Sequence, residues 1–461
     1  MTTFQSTNPA TGEVVWEGPG TGADECAALV ARSRAAWQDW RRTALEDRIA
    51  ITRRFAEILE RDAESLAEDL ARETGKVRRE SLAEIGSMRG KVAISIAAQA
   101  ERAGTRSEPT AFGQAVLRHR PHGVIAVYGP YNFPGHLPNG HIVPALLAGN
   151  CVVFKPSEEA PLIAERTRAA WREAGLPEDV LLLAQGGAET GAALAEQRID
   201  GLFFTGSASV GAHLRRAMAE RPDVILALEL GGNNPLIAWD ADPQAAASIA
   251  VNSAFVTTGQ RCSCARRFIV PDDASGAAMI EATVALASDL KVGAWDEQPE
   301  PFMGPLISAK AADRALAQVE QLLARGAKPL KPFERISGRS AAFVTPAVLD
   351  VTGCDVPDEE IFAPVLQVRR VSDFDTALAV ANDTRFGLAA GLVSADAALW
   401  DRFFDTVRAG VVNFNRPTAG ASGAMPFGGI GDSGNHHPSA YYAADYCAYP
   451  VASLEAPKPG G

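Results

Sequence analysis

Val124-Ile125-Ala126-Val127-Tyr128, Cys151-Val152-Val153-Phe154, Val180-Leu181-Leu182-Leu183 and Gly201-Leu202-Phe203-Phe204 are short apolar runs, each bounded by glycine, proline or a charged residue. Helical stretches separate them. Strand then helix, repeated, predicts a parallel doubly wound sheet. In such sheets ligands sit beyond the carboxyl ends of the strands, and Lys155, Glu158, Gly206 and Ser207 fall on that edge.

Outward from this core, Gly22 to about Ile85 reads as long amphipathic helices, with Leu29, Ala36, Trp37 and Trp40 and later Ile49, Ile51, Phe55, Ile58 and Leu59 at helical spacing. Between Ala103 and Pro121 the pattern is short, polar and arginine-containing, with Gly104 and Gly113 as punctuation, which predicts an extended or hairpin element. A second strand and helix region runs from about Gly231 to Asp432, with strands expected over Arg267 to Pro271, Ala342 to Leu349 and Val365 to Val371. It would carry Cys262 on a loop facing the first domain. Tyr446 to Leu454 reads as a strand suited to pairing with another subunit's edge, followed by a loose end from Glu455 to Gly461.

At 461 residues the chain exceeds one core, so two or three domains are expected. Forty-four basic against fifty-six acidic residues give a net charge of −12, which argues against nucleic acid or anionic membrane partners. The segment from Met1 to Pro9 has neither the basic stretch nor the apolar core of a secretory signal, and no run of about eighteen apolar residues occurs. Six cysteines are too few for a disulfide scaffold of this length, so a reducing cytoplasm is expected. Cys262-x-Cys264 lacks the accompanying ligands of a zinc site, so no metal is expected and Cys264 reads as a packing residue.

Gly259-Gln260-Arg261-Cys262 and Leu228-Glu229-Leu230-Gly231-Gly232-Asn233 set a thiol and a carboxylate beside tight turns. A thiolate adds to carbonyls, and a separate carboxylate can activate water to release the product. The other reading is a small buried cysteine and a solvated glutamate. Positive charge near the thiol favours its thiolate, and Arg261, Arg266 and Arg267 are close in sequence.

Context decides between them. Tyr131-Asn132-Phe133-Pro134, Phe154-Lys155-Pro156-Ser157-Glu158, Phe204-Thr205-Gly206-Ser207, Glu229-Leu230-Gly231-Gly232, Gly259-Gln260-Arg261-Cys262, Glu359-Glu360-Ile361-Phe362 and Pro426-Phe427-Gly428-Gly429 stand in the order and spacing of the NAD(P)-dependent aldehyde dehydrogenase superfamily. The chain resembles that family from Asn8-Pro9-Ala10-Thr11-Gly12 to its last thirty residues. The resemblance implies an α/β fold: a Rossmann-type NAD-binding domain over residues 1–102 and 122–230, a catalytic domain over 231–432, and a small β oligomerisation arm and tail over 103–121 and 433–461. It also implies a homodimer or homotetramer.

By the same resemblance Cys262 is the nucleophile, Asn132 an oxyanion donor and Glu229 the activator of water, although an asparagine before Pro134 can also serve only the turn. Lys155 and Glu158 would face an adenosine ribose; an acid there accepts hydrogen bonds from a free 2′-hydroxyl and repels a 2′-phosphate, which favours NAD. The stretch Gly206, Ser207, Ala208, Ser209, Val210 and Gly211 lacks the GxGxxG spacing but follows a strand and opens a helix, so it would offer NH groups to the pyrophosphate. Glu360, with Phe362, would hold the nicotinamide ribose. The segments Gly129 to His141, Gln260 to Arg267 and Ser433 to Cys447 most resemble the branch that oxidises N-succinylglutamate 5-semialdehyde in arginine degradation, with glutamate or succinate semialdehyde as rival substrates and a catalytically silent protein of the same fold as the alternative from another class. Two carboxylates and an amide need cationic or NH donors, for which His136, Asn139, Arg261, Arg416 and Ser422 are candidates. The chain departs from the wider family in three places: the strand before Asn8-Pro9 is missing or trimmed, Gly431 stands for a lysine, and Ala443 for a glutamate.

Overall fold

A computed structural model describes residues 3–111, 113–439 and 441–458. Ala440 of the C-terminal motif and the end of the expected loose tail, 459–461, lie outside the described residues, as do 1, 2 and 112. The chain opens with an antiparallel pair, β1 (Thr3–Thr7) and β2 (Val14–Pro19). Of the two expectations for the strand before Asn8, missing or trimmed, the first is corrected: Thr3 to Thr7 is present, short and paired with β2. Four helices follow, α1 (Ala23–Trp40), α2 (Leu45–Arg61), α3 (Ala63–Thr74) and α4 (Arg78–Arg102). Their periodic residues do form core faces. Trp40, Ile51, Phe55, Ile58 and Leu59 are buried, and Leu29, Ala36, Trp37 and Ile49 pack partly buried against the same cores.

Next comes the hairpin β3 (Arg106–Thr110) and β4 (Gly113–Pro121), then β5 (Val124–Tyr128), α5 (His136–Ala148), β6 (Cys151–Lys155), α6 (Pro161–Glu173), β7 (Leu181–Leu183), α7 (Ala188–Ala195), β8 (Gly201–Gly206), α8 (Ala208–Ala217) and β9 (Ile225–Leu230). The five strands from β5 to β9 form one parallel sheet in the order β7-β6-β5-β8-β9. Chain order reverses direction between β5 and β8, the switch point where such sheets open a crevice. The ring of Phe55 in α2 stacks on that of Trp171 in α6 at 3.9 Å between centroids, both fully buried. Trp171→Ala is therefore expected to destabilise the protein by about 3–5 kcal/mol, read as a lower urea midpoint.

The remaining elements are β10 (Asn234–Ala238), α9 (Pro243–Phe255), β11 (Ala265–Pro271), α10 (Ala274–Ser288), α11 (Ala309–Ala324), β12 (Lys328–Lys331), β13 (Ala347–Asp350), β14 (Val365–Val371), α12 (Phe374–Asn382), β15 (Ala389–Val393), α13 (Ala397–Thr406), β16 (Val411–Phe414), α14 (Ala443–Tyr446) and β17 (Ala448–Glu455). A seven-stranded sheet runs β12-β13-β14-β11-β10-β15-β16, parallel except for β12. The strand expected from Ala342 begins only at Ala347, after Pro346, which has no NH to give a ladder. Val180 likewise belongs to a helical turn before β7. The start of the tail strand is corrected, since Tyr446 sits in α14 and β17 begins at Ala448; β17 pairs with β4 of its own chain on one side and is the edge strand of the sheet β17-β4-β3.

Candidate active site

Cys262 lies on the loop between α9 and β11, and that loop is held from several sides. Thr257 and Thr258 take left-handed backbone angles (φ of 53° and 56°), unusual for β-branched residues and costing about 1–3 kcal/mol each. Side-chain and backbone bonds hold them there. Thr257 NH donates to Glu80 Oε1 at 2.9 Å, Arg261 Nε donates to Thr257 Oγ1 at 2.8 Å, and Thr258 Oγ1 donates to the Gly304 carbonyl at 2.9 Å. Asn234, at the start of β10, donates its amide to the carbonyls of Cys262 (2.7 Å) and Cys264 (2.9 Å) and accepts from Ala389 NH. Buried Arg266 donates to the carbonyls of Gly259 and Arg261 and pairs with Glu360 at 3.1 Å. Sequence reading missed Asn234, whose signal was a polar residue opening an otherwise apolar strand, and gave Arg266 a different role, as a charge favouring the thiolate.

Glu229 is the penultimate residue of β9 and is fully buried. Asn435 brackets its neighbour, donating its NH to the Leu228 carbonyl at 3.0 Å and accepting Leu228 NH at 2.7 Å, while Gly434 bridges to Glu229 itself. Neither carboxyl oxygen meets a donor of good geometry among the described residues. Burial pushes the carboxyl up to about 8; the nearby Cys262 thiol offsets part of that rise, and Glu360 adds to it. The thiol is held well above its ordinary value by burial first and by Glu229 and Glu360 next. Here the expectation from the arginines is corrected, since none of the three lowers it. Arg267 donates to the carbonyls of Asn233, Val380 and Ala381, Arg266 faces Glu360, and Arg261 turns to Thr257 and Glu80. Cys262 and Glu229 are thus a coupled pair in which each group's proton is sensitive to the other.

Asn132, in the loop from β5 to α5, donates Nδ2 to the Gln260 carbonyl at 2.9 Å and is buried beside the Cys262 loop. Its second NH is not used by that bond. Gly431 has a φ of 60°, and an added side chain would meet the Arg385 carbonyl, so this turn favours glycine. Ala443 is buried in the core that includes Tyr446.

On the sheet edge, Lys155 Nζ donates to the carbonyls of Pro156 (2.8 Å) and Gly186 (2.9 Å) and lies 3.8 Å from Glu158, which is half exposed. Gly206 ends β8; Ser207 caps α8 by accepting Val210 NH at 3.4 Å, and Ser207 and Ser209 hydroxyls are 3.1 Å apart. Ala208 opens α8, Val210 is exposed, and Gly211 is buried where a side chain would strike Leu230. Gly231 likewise leaves room for Glu360. Phe362 packs edge-on to Tyr131 at 6.1 Å and lies under Arg266. Helix-end NH groups, two hydroxyls, an ammonium and a half-exposed acid along one edge match the phosphate and ribose groups of a dinucleotide.

The five proposed substrate contacts divide. His136 and Arg261 stay beside the Cys262 loop, Arg261 lying 5.2 Å from the Phe133 ring centre and the His136 ring 6.3 Å from it, edge-on. Asn139 is fully buried; its Nδ2 donates to the Gly135 carbonyl at 2.7 Å, and its Oδ1 has no partner among the described residues. Arg416 and Ser422 are exposed in the loop after β16, with Ser422 Oγ accepting Ala424 NH. A cavity of about 410 Å³ lined by Asn233, Arg267, Asp358 and Arg385, among others, includes neither Cys262 nor Glu229. Among the described residues there is no cluster of three His, Cys, Asp or Glu side chains able to hold a metal, and no helix long and apolar enough to cross a membrane.

The chain belongs to the aldehyde dehydrogenase family, whose model matches residues 1–450. Over 98% of its length it is 60% identical to N-succinylglutamate 5-semialdehyde dehydrogenase 2 of Caulobacter vibrioides, 93% of which is covered. The fold superposes on PnpE in complex with nicotinamide adenine dinucleotide with a TM-score of 0.92 at 28% identity, covering 98% of this chain and 94% of that one. It also superposes on the glyceraldehyde-3-phosphate dehydrogenase GapN of Methanocaldococcus jannaschii complexed with NADP, with a TM-score of 0.90 at 25% identity and 98% coverage of both chains.

Proposed function

We propose that this protein oxidises N-succinylglutamate 5-semialdehyde to N-succinylglutamate with NAD, a step of arginine degradation. The 60% identity to a relative of that name, continuous over 98% of the chain, carries the reading. In it, residues 1–102 and 122–230 bind the dinucleotide, 231–432 carry the chemistry, and 103–121 with 433–461 assemble a homodimer or homotetramer in the cytoplasm.

Cys262, once deprotonated, adds its sulfur to the aldehyde carbon, and the new oxyanion is held by the free NH of Asn132 and the backbone NH of Cys262. The bound nicotinamide supplies a hydride acceptor, so that the sulfur adduct becomes a thioester. Glu229 as carboxylate takes a proton from the water that attacks the thioester carbon; the C–S bond breaks, the acid leaves and the thiolate is restored. Lys155, Glu158, Glu360, Phe362 and the segment from Gly206 to Gly211 would hold the dinucleotide.

The half-exposed Glu158 supports NAD over NADP, because a ribose phosphate would meet its charge. Glu158→Gln is expected to narrow the NAD to NADP ratio of kcat/KM about tenfold, equal to about 1.4 kcal/mol. An unchanged ratio would remove Glu158 from the argument. The reading as a whole is tested by NADH formation from the succinylated aldehyde beside glutamate and succinate semialdehydes. Preference for an unsuccinylated aldehyde would overturn the substrate and leave the chemistry.

A further inference from the structure

One side of α4 is buried through Glu80, Ser81, Glu84, Ile85, Met88, Lys91 and Val92, a helical stripe in which three charged residues replace the usual apolar ones. Two of the charges have partners: Glu84 pairs with Lys76, and Glu80 with Arg261 at 3.6 Å. Lys91 has none. Its residue is 2% exposed, its ammonium donates to the Ser439 carbonyl, and no carboxylate lies within ion-pair distance among the described residues. A buried ammonium satisfied only by a neutral carbonyl is costly, and burial pushes Lys91 down to about 8, so that near neutral pH it keeps a proton that a carboxylate counter-charge would stabilise.

Its surroundings connect it to Cys262. Glu84 Oε1 accepts the NH groups of Gly135 and His136 at 3.0 Å each, which docks the start of α5 on the stripe that carries Lys91. The His136 ring lies 6.3 Å from that of Phe133, and Arg261, the neighbour of Cys262, lies 5.2 Å from the same Phe133 ring, while Lys91 and Arg261 both act electrostatically on the imidazole. That imidazole is held neutral, pushed down to about 3 by burial and then by Lys91, Lys76 and Arg261, and its Nδ1 has no partner. On the outer side Lys91 is covered by Gly423, where an added Cβ would lie 3.9 Å from Nζ, on an exposed loop of small residues.

We propose that Lys91 is a specificity-determining residue that pairs with the substrate carboxylate remote from the aldehyde, at the end of the succinyl arm. This rests on the reading of the substrate given above. Lys76 and Arg261 are paired with Glu84 and Glu80, which leaves Lys91, seven residues along α4 from the carboxylate that docks His136, as the cation of this group with no carboxylate partner among the described residues.

The test compares the full-length wild type with Lys91→Met and Lys91→Arg. Lys91→Met is expected to raise KM for the succinylated aldehyde at least tenfold with kcat within about threefold, to leave kcat/KM for propanal unchanged, and to melt no lower than the wild type. Lys91→Arg should recover part of the loss. Equal losses on both aldehydes, or an unaltered KM for the succinylated one, would overturn the proposal. The wild-type panel tests the substrate separately: a wild type indifferent to the succinyl group removes the reading on which the proposal rests, whatever the variants do.

Discussion

Cys262→Ala is expected to lower the rate of aldehyde-dependent NADH formation by about 10⁴-fold or more while leaving dinucleotide binding and the melting temperature close to wild type. The size follows from the chemistry: without sulfur there is no covalent adduct, and what remains is binding and a polarised carbonyl. No neighbour can stand in. Cys264 is fully buried, with its thiol directed at the Val256 carbonyl, and Cys26, Cys151 and Cys447 are buried elsewhere. Cys262 and Cys354 are the two partly exposed cysteines, so an aldehyde-like electrophile followed by peptide mass spectrometry should mark these two, and activity should disappear with the first label only. Retained activity in the alanine variant would dismiss Cys262 as nucleophile. Because the resting thiol is held high by burial and by two carboxyls, its reactivity toward a slow electrophile should also rise steeply as pH increases.

The doubly wound sheet was legible because its strands are buried on both faces and so appear as unbroken apolar runs; β5, β6 and β8 fall where those runs lie. The helices before it were legible through period alone. Boundaries were lost where backbone chemistry overrode side-chain pattern: Pro346 delays β13, and Tyr446 is claimed by α14 before β17 starts. The tail was legible as a strand; that one of its sides pairs with β4, more than three hundred residues earlier in the same chain, was not, because such long-range pairing leaves no local signal.

At the site, the residue types in the motifs were readable and their electrostatics were not. Arginines next to Cys262 in sequence suggested a thiolate. In space, backbone carbonyls and Glu360 and Glu80 engage them, so burial and carboxyls set the thiol instead. The spacing of Asn139 to His136 suggested one shared helix face, but not that all but the first residue of α5 are buried or that the Asn139 Nδ2 bonds back to the Gly135 carbonyl. Lys91 escaped notice for the converse reason: an isolated lysine in a long helix reads as solvent-facing until the stripe containing Glu84 and Met88 is seen to be buried.

Glu229→Gln is expected to cut steady-state kcat by about 10²–10⁴-fold and to leave a burst of about one NADH per active subunit, because acylation of Cys262 can proceed while water attack on the thioester loses its base. The carboxyl, raised to about 8, is mostly protonated at neutral pH, so wild-type kcat should climb through pH 8 as the base form appears; the glutamine variant should lose that rise. Stability runs the other way. The folded carboxyl holds its proton up to about 8 and the unfolded one only to its ordinary 4.5, so between those values the native state carries the extra proton and loses stability as pH increases. By pH 9 the buried carboxylate costs up to about 5 kcal/mol, a cost glutamine does not bear. Glu229→Gln should therefore melt close to wild type at pH 5 and clearly above it at pH 9. A variant that keeps steady turnover without a burst would rule out Glu229 as the activator of water, and equal melting curves at pH 9 would show that the folded carboxyl is not raised. Together the two measurements separate the roles, since a merely structural glutamate moves the melting curve and leaves no acyl-enzyme to accumulate.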